Sequence, residues 1–220
     1  ILSDGYLANG SEPWRLPDLE SLPQIDPNFL QAANHSIDGV DVLWPFKRDE
    51  ETLARPWIKP GTAGLEHRIG GIEKADGTGA ISYDPANHDK MVRLRQAKVD
   101  GIANDVEGIF IDDPDNDADI CVLGWGSTFG ISAAAVEISR RNGIKVAQAH
   151  LSTVNPFPAD TGEVLKRYKK VLIPEMNLGQ LCMLIRAKYL IDAVSISKVQ
   201  GQPFKSNELV AEIKKAVDNG

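Results

Sequence analysis

The second half of the chain repeats one pattern, in which a short apolar run precedes a stretch with helical spacing. The apolar runs have the length and composition of buried strands, and they lie at 119–123, 144–149, 170–174 and 193–198. The stretches with helical spacing follow them at about 128–142, 159–168, 179–190 and 207–217. Strands that alternate with helices predict a mostly parallel, doubly wound α/β sheet. We therefore expect residues 118–220 to form one α/β domain.

The first half is less regular. Prolines punctuate 13–45, which argues against long helices and central strands there, and 61–71 is too rich in glycine for a stable element. Helical spacing is found at about 88–106, with Asn87 as a candidate cap. We expect 15–117 to be an irregular segment that crosses to, and packs against, a companion chain.

The two halves also differ in charge. Residues 1–117 hold 11 basic and 22 acidic side chains, a net charge of −11, whereas 118–220 hold 13 and 9, a net charge of +4. The first residues, Ile1 and Leu2 followed by a polar turn, resemble the carboxyl end of a buried strand. This predicts that 1–14 are the end of a truncated α/β domain.

Between the halves, residues 111–119 combine like charges with residues that break regular structure, which predicts an exposed junction. The alternative is a calcium loop, because Asp113, Asp115 and Asp117 have alternate spacing. Ala118 stands where such a loop needs glycine, and no glutamate closes the pattern. The spacing favours a solvated linker.

The net charge of the chain is −7, which argues against nonspecific binding to nucleic acid or to an anionic membrane. No apolar run approaches the roughly 20 residues of a membrane span. Cys121 and Cys182 lie inside apolar runs, so they are predicted to be buried thiols in a cytoplasmic protein.

A glycine-rich turn at 124–130 lies between the first predicted strand and helix of the α/β domain. Gly124, Gly126 and Ser127 are candidates for a phosphate cradle, because amides at a helix start attract anions. The third glycine is one residue late for a dinucleotide fingerprint, and Trp125 replaces the first glycine of a nucleophile elbow. The alternative is structural, with Ser127 or Thr128 capping the helix.

The four histidines show no metal-site spacing, so no metal ligand is predicted. Glu66, His67 and Arg68 in the glycine-rich stretch, and Asn87 and His88 near the predicted cap, are candidates for acid–base work. Because no partner residue at a characteristic spacing supports any of these candidates, a structural or interface role is favoured for each.

Glu175 and Asn177 follow the third predicted strand directly, at the edge of the sheet where α/β proteins bind ligands. They could contact a partner or cap the next helix, since caps use the same residue types. The sequence leaves both interpretations open.

The motifs together resemble a known family. The turn at 124–130 and the segments 155–158 and 175–181 resemble the transketolase C-terminal domain of thiamine-diphosphate enzymes. Four further segments resemble the α subunit of 2-oxoacid:ferredoxin oxidoreductases, and they lie at 2–7, 11–14, 64–68 and 87–92. The sequence at 198–204 is similar to the 2-oxoglutarate branch.

The resemblance implies oxidative decarboxylation of 2-oxoglutarate to succinyl-coenzyme A, with reduction of ferredoxin. It implies that thiamine diphosphate, magnesium and an iron–sulfur cluster serve the whole complex and that the diphosphate, metal and cluster are held by the β subunit. Residues 1–14 would then be the end of a truncated pyrimidine-binding domain. This chain would be a supporting segment, inactive alone, with no catalytic residue. The alternatives are another 2-oxoacid oxidoreductase, a dehydrogenase E1 subunit, or a noncatalytic module that binds nucleotide or phosphate.

Overall fold

A computed structural model describes residues 9–11 and 15–218 of the chain. The chain divides into two compact units, Ile1–Gly101 and Ile102–Gly220. The expectation for 1–14 falls mainly on residues that lie outside the described ones. Within the described part, no helix is both long and apolar enough to cross a membrane.

The first unit contains a short hairpin of strands β1 (His35–Ile37) and β2 (Val40–Val42), which pair antiparallel. Asp38 and Gly39 connect them with φ angles of 51° and 82°. An Asp-Gly pair tolerates this left-handed region and favours two-residue hairpins. The prolines predict that long helices and central strands are absent from 13–45. A short hairpin is compatible with that prediction, although the sequence analysis did not predict the hairpin itself.

Helix α1 (Pro85–Gly101) overlaps most of the helix predicted at 88–106, but both of its ends lie earlier in the chain. The Oδ1 atom of Asp84 accepts a hydrogen bond from the Ala86 N–H at 3.0 Å, and proline occupies the first helical position. The assignment of Asn87 as the cap was therefore wrong, because the Asp84-Pro85 pair already begins the helix.

In the second unit, the described residues form a five-stranded sheet of β3 (Phe110–Asp112), β4 (Ile120–Trp125), β5 (Val146–Leu151), β6 (Lys170–Glu175) and β7 (Ala193–Ser197). The strand order is β3-β5-β4-β6-β7. Strands β4 to β7 are parallel, and β3 pairs antiparallel with β5 at one edge. The predicted mostly parallel α/β sheet is confirmed.

Helices cover both faces of this sheet. They are α2 (Phe129–Arg141), α3 (Thr161–Leu165), α4 (Gln180–Tyr189) and α5 (Ser206–Asp218). On one face, Val136 of α2 and Leu209 of α5 pack with Val122 of the sheet. On the other face, Leu165 of α3 and Ile185 of α4 belong to a second apolar cluster. Burial on two faces explains why the strands are continuous apolar runs.

The prediction of an exposed junction at 111–119 was wrong for its first part, because Asp112 lies in β3. Its carboxylate binds the Arg140 guanidinium at 2.7 Å, and Asp117 binds the Lys145 amine at 2.5 Å. These basic partners neutralise two of the five acidic charges in the segment. They come from later parts of the chain, so local composition does not reveal them.

Candidate functional site

Polar candidates meet at the carboxyl edge of the parallel strands. Strands β5 and β6 lie on opposite sides of β4, which makes this edge the switch point where doubly wound sheets bind ligands. The turn after β4 and the residues that end or follow β6 are both placed at this edge, and the candidates there are Gly124, Gly126, Ser127, Glu175 and Asn177.

The turn after β4 is stabilised by Thr128. Its Oγ1 atom accepts a hydrogen bond from the Trp125 N–H at 3.0 Å and donates to the Trp125 carbonyl at 2.8 Å. Gly126 has a φ of 54°, which only glycine adopts readily. Thr128 makes no side-chain cap bond to α2, and Ser127 is exposed. The predicted capping of α2 by Ser127 or Thr128 is therefore not observed.

Two buried polar atoms lie beneath this turn. The Ser132 Oγ and His150 Nδ1 atoms have no hydrogen-bond partner among the described residues. A Cβ built on Gly124 would lie 3.0 Å from His150 Nδ1, 3.4 Å from Ser132 Oγ and 2.9 Å from Thr128 Oγ1. Three polar atoms therefore lie close around Gly124, and an added Cβ would crowd them.

His150 is held by aromatic neighbours. Its ring meets the Phe129 ring edge-on, with centroids 5.0 Å apart, and Phe129 meets Phe110 in the same manner at 5.4 Å. Burial lowers the pKa of His150 below its usual value, because the imidazolium loses hydration. No sequence pattern predicts that Ser132 and His150 lie close together, because they belong to different elements.

Glu175 and Asn177 satisfy the amino end of α4. The Glu175 carboxylate, 0% exposed, accepts hydrogen bonds from the Leu181 and Cys182 N–H groups at 2.8 and 3.0 Å. Asn177 Oδ1 accepts from the Gly179 and Gln180 N–H groups at 2.8 and 3.0 Å. Four amides at the start of the helix are thus occupied, a geometry that favours the capping interpretation of these two residues.

In the first unit, Glu66 and Arg68 are exposed, and His67 lies between them half-buried. His67 Nδ1 lies 2.9 Å from the carbonyl oxygen of Leu65, which is buried. This contact holds the ring against its own backbone and favours a structural role for His67.

Asn87 and His88 fasten helix α1 to the loop before it. The Asn87 side chain accepts from the Asp76 N–H at 3.0 Å and donates to the Lys74 carbonyl at 2.9 Å. His88 Nδ1 lies 2.6 Å from Glu73 Oε2, and this hydrogen bond is the main reason that the pKa of Glu73 is lowered. These contacts also favour a structural role.

The described residues do not fit a metal ion or an iron–sulfur cluster. They contain no group of three or more histidine, cysteine, aspartate or glutamate side chains that could hold a metal. Cys121 and Cys182 are both free and buried, as predicted, and burial raises the pKa of each thiol. An iron–sulfur cluster is held by several cysteine thiolates, so two separate cysteines that remain protonated are poor ligands for it.

A cavity of about 480 Å³ lies at the opposite edge, where β4 and β6 begin. Three lysines line it, but each ammonium group already has an acceptor. Lys145 binds Asp117, Lys169 binds Asp119 at 3.0 Å, and Lys170 binds the Ala216 carbonyl at 3.3 Å. These pairings argue against an anion site in this cavity.

Residues 118–209 match the family described as pyruvate:ferredoxin oxidoreductase core domain II. The chain is 52% identical over 217 residues to the 2-oxoglutarate oxidoreductase subunit KorA of Mycobacterium tuberculosis. That alignment covers 99% of this chain and 32% of the relative. The 2-oxoglutarate synthase subunit KorA of Methanocaldococcus jannaschii is 34% identical over 91% of this chain and 56% of its own length.

Among solved structures, the chain resembles the 2-oxoglutarate:ferredoxin oxidoreductase from Magnetococcus marinus with 2-oxoglutarate, coenzyme A and succinyl-CoA bound. The TM-score is 0.79 at 28% identity, and the match covers 91% of this chain and 34% of that chain. This chain therefore spans about a third of the length of the M. tuberculosis and M. marinus proteins. The sheet order, the sequence identity and the family match agree, and the chain belongs to the α subunits of the 2-oxoacid:ferredoxin oxidoreductases.

Proposed function

We propose that this chain is the supporting, subunit-assembly part of a thiamine-diphosphate-dependent 2-oxoglutarate:ferredoxin oxidoreductase. The complex would convert 2-oxoglutarate and coenzyme A to succinyl-CoA and carbon dioxide while it reduces ferredoxin. The observation that carries this proposal is the 52% identity to the M. tuberculosis KorA subunit over 99% of this chain.

The division of labour follows from the side chains at the carboxyl edge of the sheet. Glu175 and Asn177 are occupied in capping α4, and the described residues supply no ligand set for magnesium or for a cluster. We propose that thiamine diphosphate, magnesium and the iron–sulfur cluster are bound elsewhere in the complex, chiefly by the β subunit. Ferredoxin and coenzyme A are then partners of the complex.

The proposal keeps the domain assignment made from the sequence, except at its central boundary. The transketolase C-terminal-like domain is 118–220 together with the edge strand β3, which pairs with β5, and the crossing segment is the part of 15–117 that precedes this strand. The free thiols of Cys121 and Cys182 support a cytoplasmic location, because reducing compartments keep thiols unpaired.

The test is turnover of the complex that co-purifies with this chain. Ferredoxin reduction is measured with 2-oxoglutarate, pyruvate and a branched-chain 2-oxoacid, each with coenzyme A. We expect kcat/KM to be at least about tenfold higher for 2-oxoglutarate, since each tenfold step corresponds to roughly 1.4 kcal/mol of transition-state binding. A preference for pyruvate would assign the complex to another branch. Turnover by the 220-residue chain alone would refute the supporting role.

A further inference from the structure

The segment 16–28 of the first unit is extended, and every residue of it is exposed. A short 3₁₀ helix (Leu19–Ser21) lies within it and buries no side chain. On either side of this helix, Asp18 has φ and ψ angles of −67° and 124°, and Leu22 has angles of −72° and 139°. These angles are close to those of polyproline II. Polyproline II and 3₁₀ helix both have three residues per turn, so every third side chain lies on the same side of the segment.

Every third residue of this segment is aliphatic, beginning at Leu16. These four side chains, which we call the aliphatic row, are between 43% and 88% exposed, and they are Leu16, Leu19, Leu22 and Ile25. The residues between them are polar or proline. Single exposed apolar side chains are ordinary on a protein surface, whereas a contiguous apolar surface with polar flanks is typical of an interaction site.

Acidic side chains flank the aliphatic row on both sides. With three residues per turn, Asp18 lies on one flank, and Glu20 and Asp26 lie on the other. None of these carboxylates forms an ion pair with the described residues, and no lysine or arginine occurs from 16 to 46. The surface that fits this segment is therefore aliphatic along its centre and basic along its edges.

The chain itself offers little basic surface of this kind. Residues 1–117 carry a net charge of −11, and eight of the 13 basic side chains in 118–220 already form ion pairs with described residues. A second copy of the chain therefore provides few unpaired cations for Asp18, Glu20 and Asp26. Charge complementarity favours a different polypeptide as the partner.

We infer that the aliphatic row is a docking surface for the companion subunit of the complex, which presents an aliphatic groove with lysine and arginine side chains along both edges. This inference rests on the proposed function for the existence of that companion. The segment is anchored where it ends, because the Leu30 N–H donates to the Trp57 carbonyl at 2.8 Å. Prolines at 17, 23 and 27 restrict φ, so docking loses less conformational entropy than it would in an unrestricted chain.

Photo-crosslinking in the purified complex tests the surface directly. Leu19 in the aliphatic row, and Gln24 outside it as a control, are each replaced by p-benzoylphenylalanine, and crosslinked peptides are identified by mass spectrometry. We expect position 19 to crosslink to a companion peptide that contains lysine or arginine beside aliphatic residues, and position 24 to crosslink much more weakly. A crosslink from position 19 within the same chain or to a second copy, or the absence of any crosslink, would overturn the inference. A complex that prefers pyruvate would contradict the proposed function without affecting this crosslink, so the two failures are distinguishable.

A charge-matched pair of variants provides a second test. Leu19→Asp and Gln24→Asp add the same charge to the same segment, but only Leu19 belongs to the aliphatic row. We expect Leu19→Asp to raise the Kd for the companion at least about tenfold and Gln24→Asp to raise it less than about threefold, measured by mass photometry on dilution of the complex. Both side chains are exposed, so the melting temperature of the chain is expected to stay unchanged. Equal changes in Kd for the two variants would contradict docking through the aliphatic row.

Discussion

Two helices begin at the carboxyl edge of the same sheet, and their first turns are satisfied differently. At α4, Glu175 and Asn177 accept hydrogen bonds from four backbone amides. At α2, Thr128 bonds only to Trp125, and Ser132 and His150 have unbonded polar atoms among the described residues. Polar residues at a ligand-binding edge can therefore have their hydrogen-bonding capacity occupied by the backbone of the next helix. Burial alone does not ensure that a polar group at this edge is paired, because Ser132 Oγ and His150 Nδ1 are buried without a hydrogen-bond partner among the described residues.

The largest expected effect is at the α4 cap. Glu175→Ala leaves the Leu181 and Cys182 N–H groups without their acceptor in a buried environment. We expect a loss of about 4 kcal/mol in the free energy of unfolding, measured by urea denaturation. Glu163→Ala is the control, since Glu163 lies on a helix but pairs with Arg167 at the surface. A loss at Glu175 as small as that at Glu163 would show that the cap contributes little.

A second prediction concerns the space beside Gly124. Gly124→Ala places a methyl group 2.9–3.0 Å from Thr128 Oγ1 and His150 Nδ1, so neighbouring groups must shift. We expect a loss of about 2 kcal/mol, measured by the same denaturation. Gly130→Ala is the matched change in α2, where nothing lies within 4 Å of the added carbon. That variant is expected to gain about 0.5 kcal/mol, because alanine favours helix. Equal effects at both glycines would contradict the crowding described here.

The sequence predicted the second unit well, because four apolar runs alternate with amphipathic stretches and parallel strands need such crossovers. It did not predict β3, because three residues in an acidic segment have no periodicity and their partner strand comes later in the chain. The roles of Glu175 and Asn177 stayed open because capping and ligand contact use the same side chains. Ser132 was not a candidate at all, since its meeting with His150 depends on tertiary packing.

Removing the Asn177 cap has a smaller expected effect than removing Glu175. Asn177→Ala frees the Gly179 and Gln180 N–H groups, but Gln180 is exposed and water can replace the lost acceptor. We expect a loss of about 1 kcal/mol, measured by thermal unfolding. Asn177→Asp retains an acceptor, and its stability is expected to stay near that of the native protein. A loss in the aspartate variant equal to that in the alanine variant would argue against capping.

The smallest predicted effect is a pH dependence at His150. Its pKa is lower in the folded chain than in the unfolded chain, so the unfolded state binds more protons as the pH falls below about 6.5. Stability is therefore lost as the pH falls from about 7 to 5, and the loss is small because the ring is only half-buried. In His150→Gln this part of the pH dependence is expected to vanish. An unchanged pH profile in the variant would exclude His150 as its source.

The central claim is that the polar groups at the carboxyl edge support the fold and that the reaction's chemistry is performed elsewhere in the complex. The most direct measurement is ferredoxin reduction per assembled complex, with 2-oxoglutarate and coenzyme A, for Asn177→Ala below its melting temperature. The account predicts a kcat within about twofold of the native complex, because a cap contributes to stability and makes no contact in the transition state. A fall in kcat of a hundredfold in a complex that remains folded and assembled would contradict it.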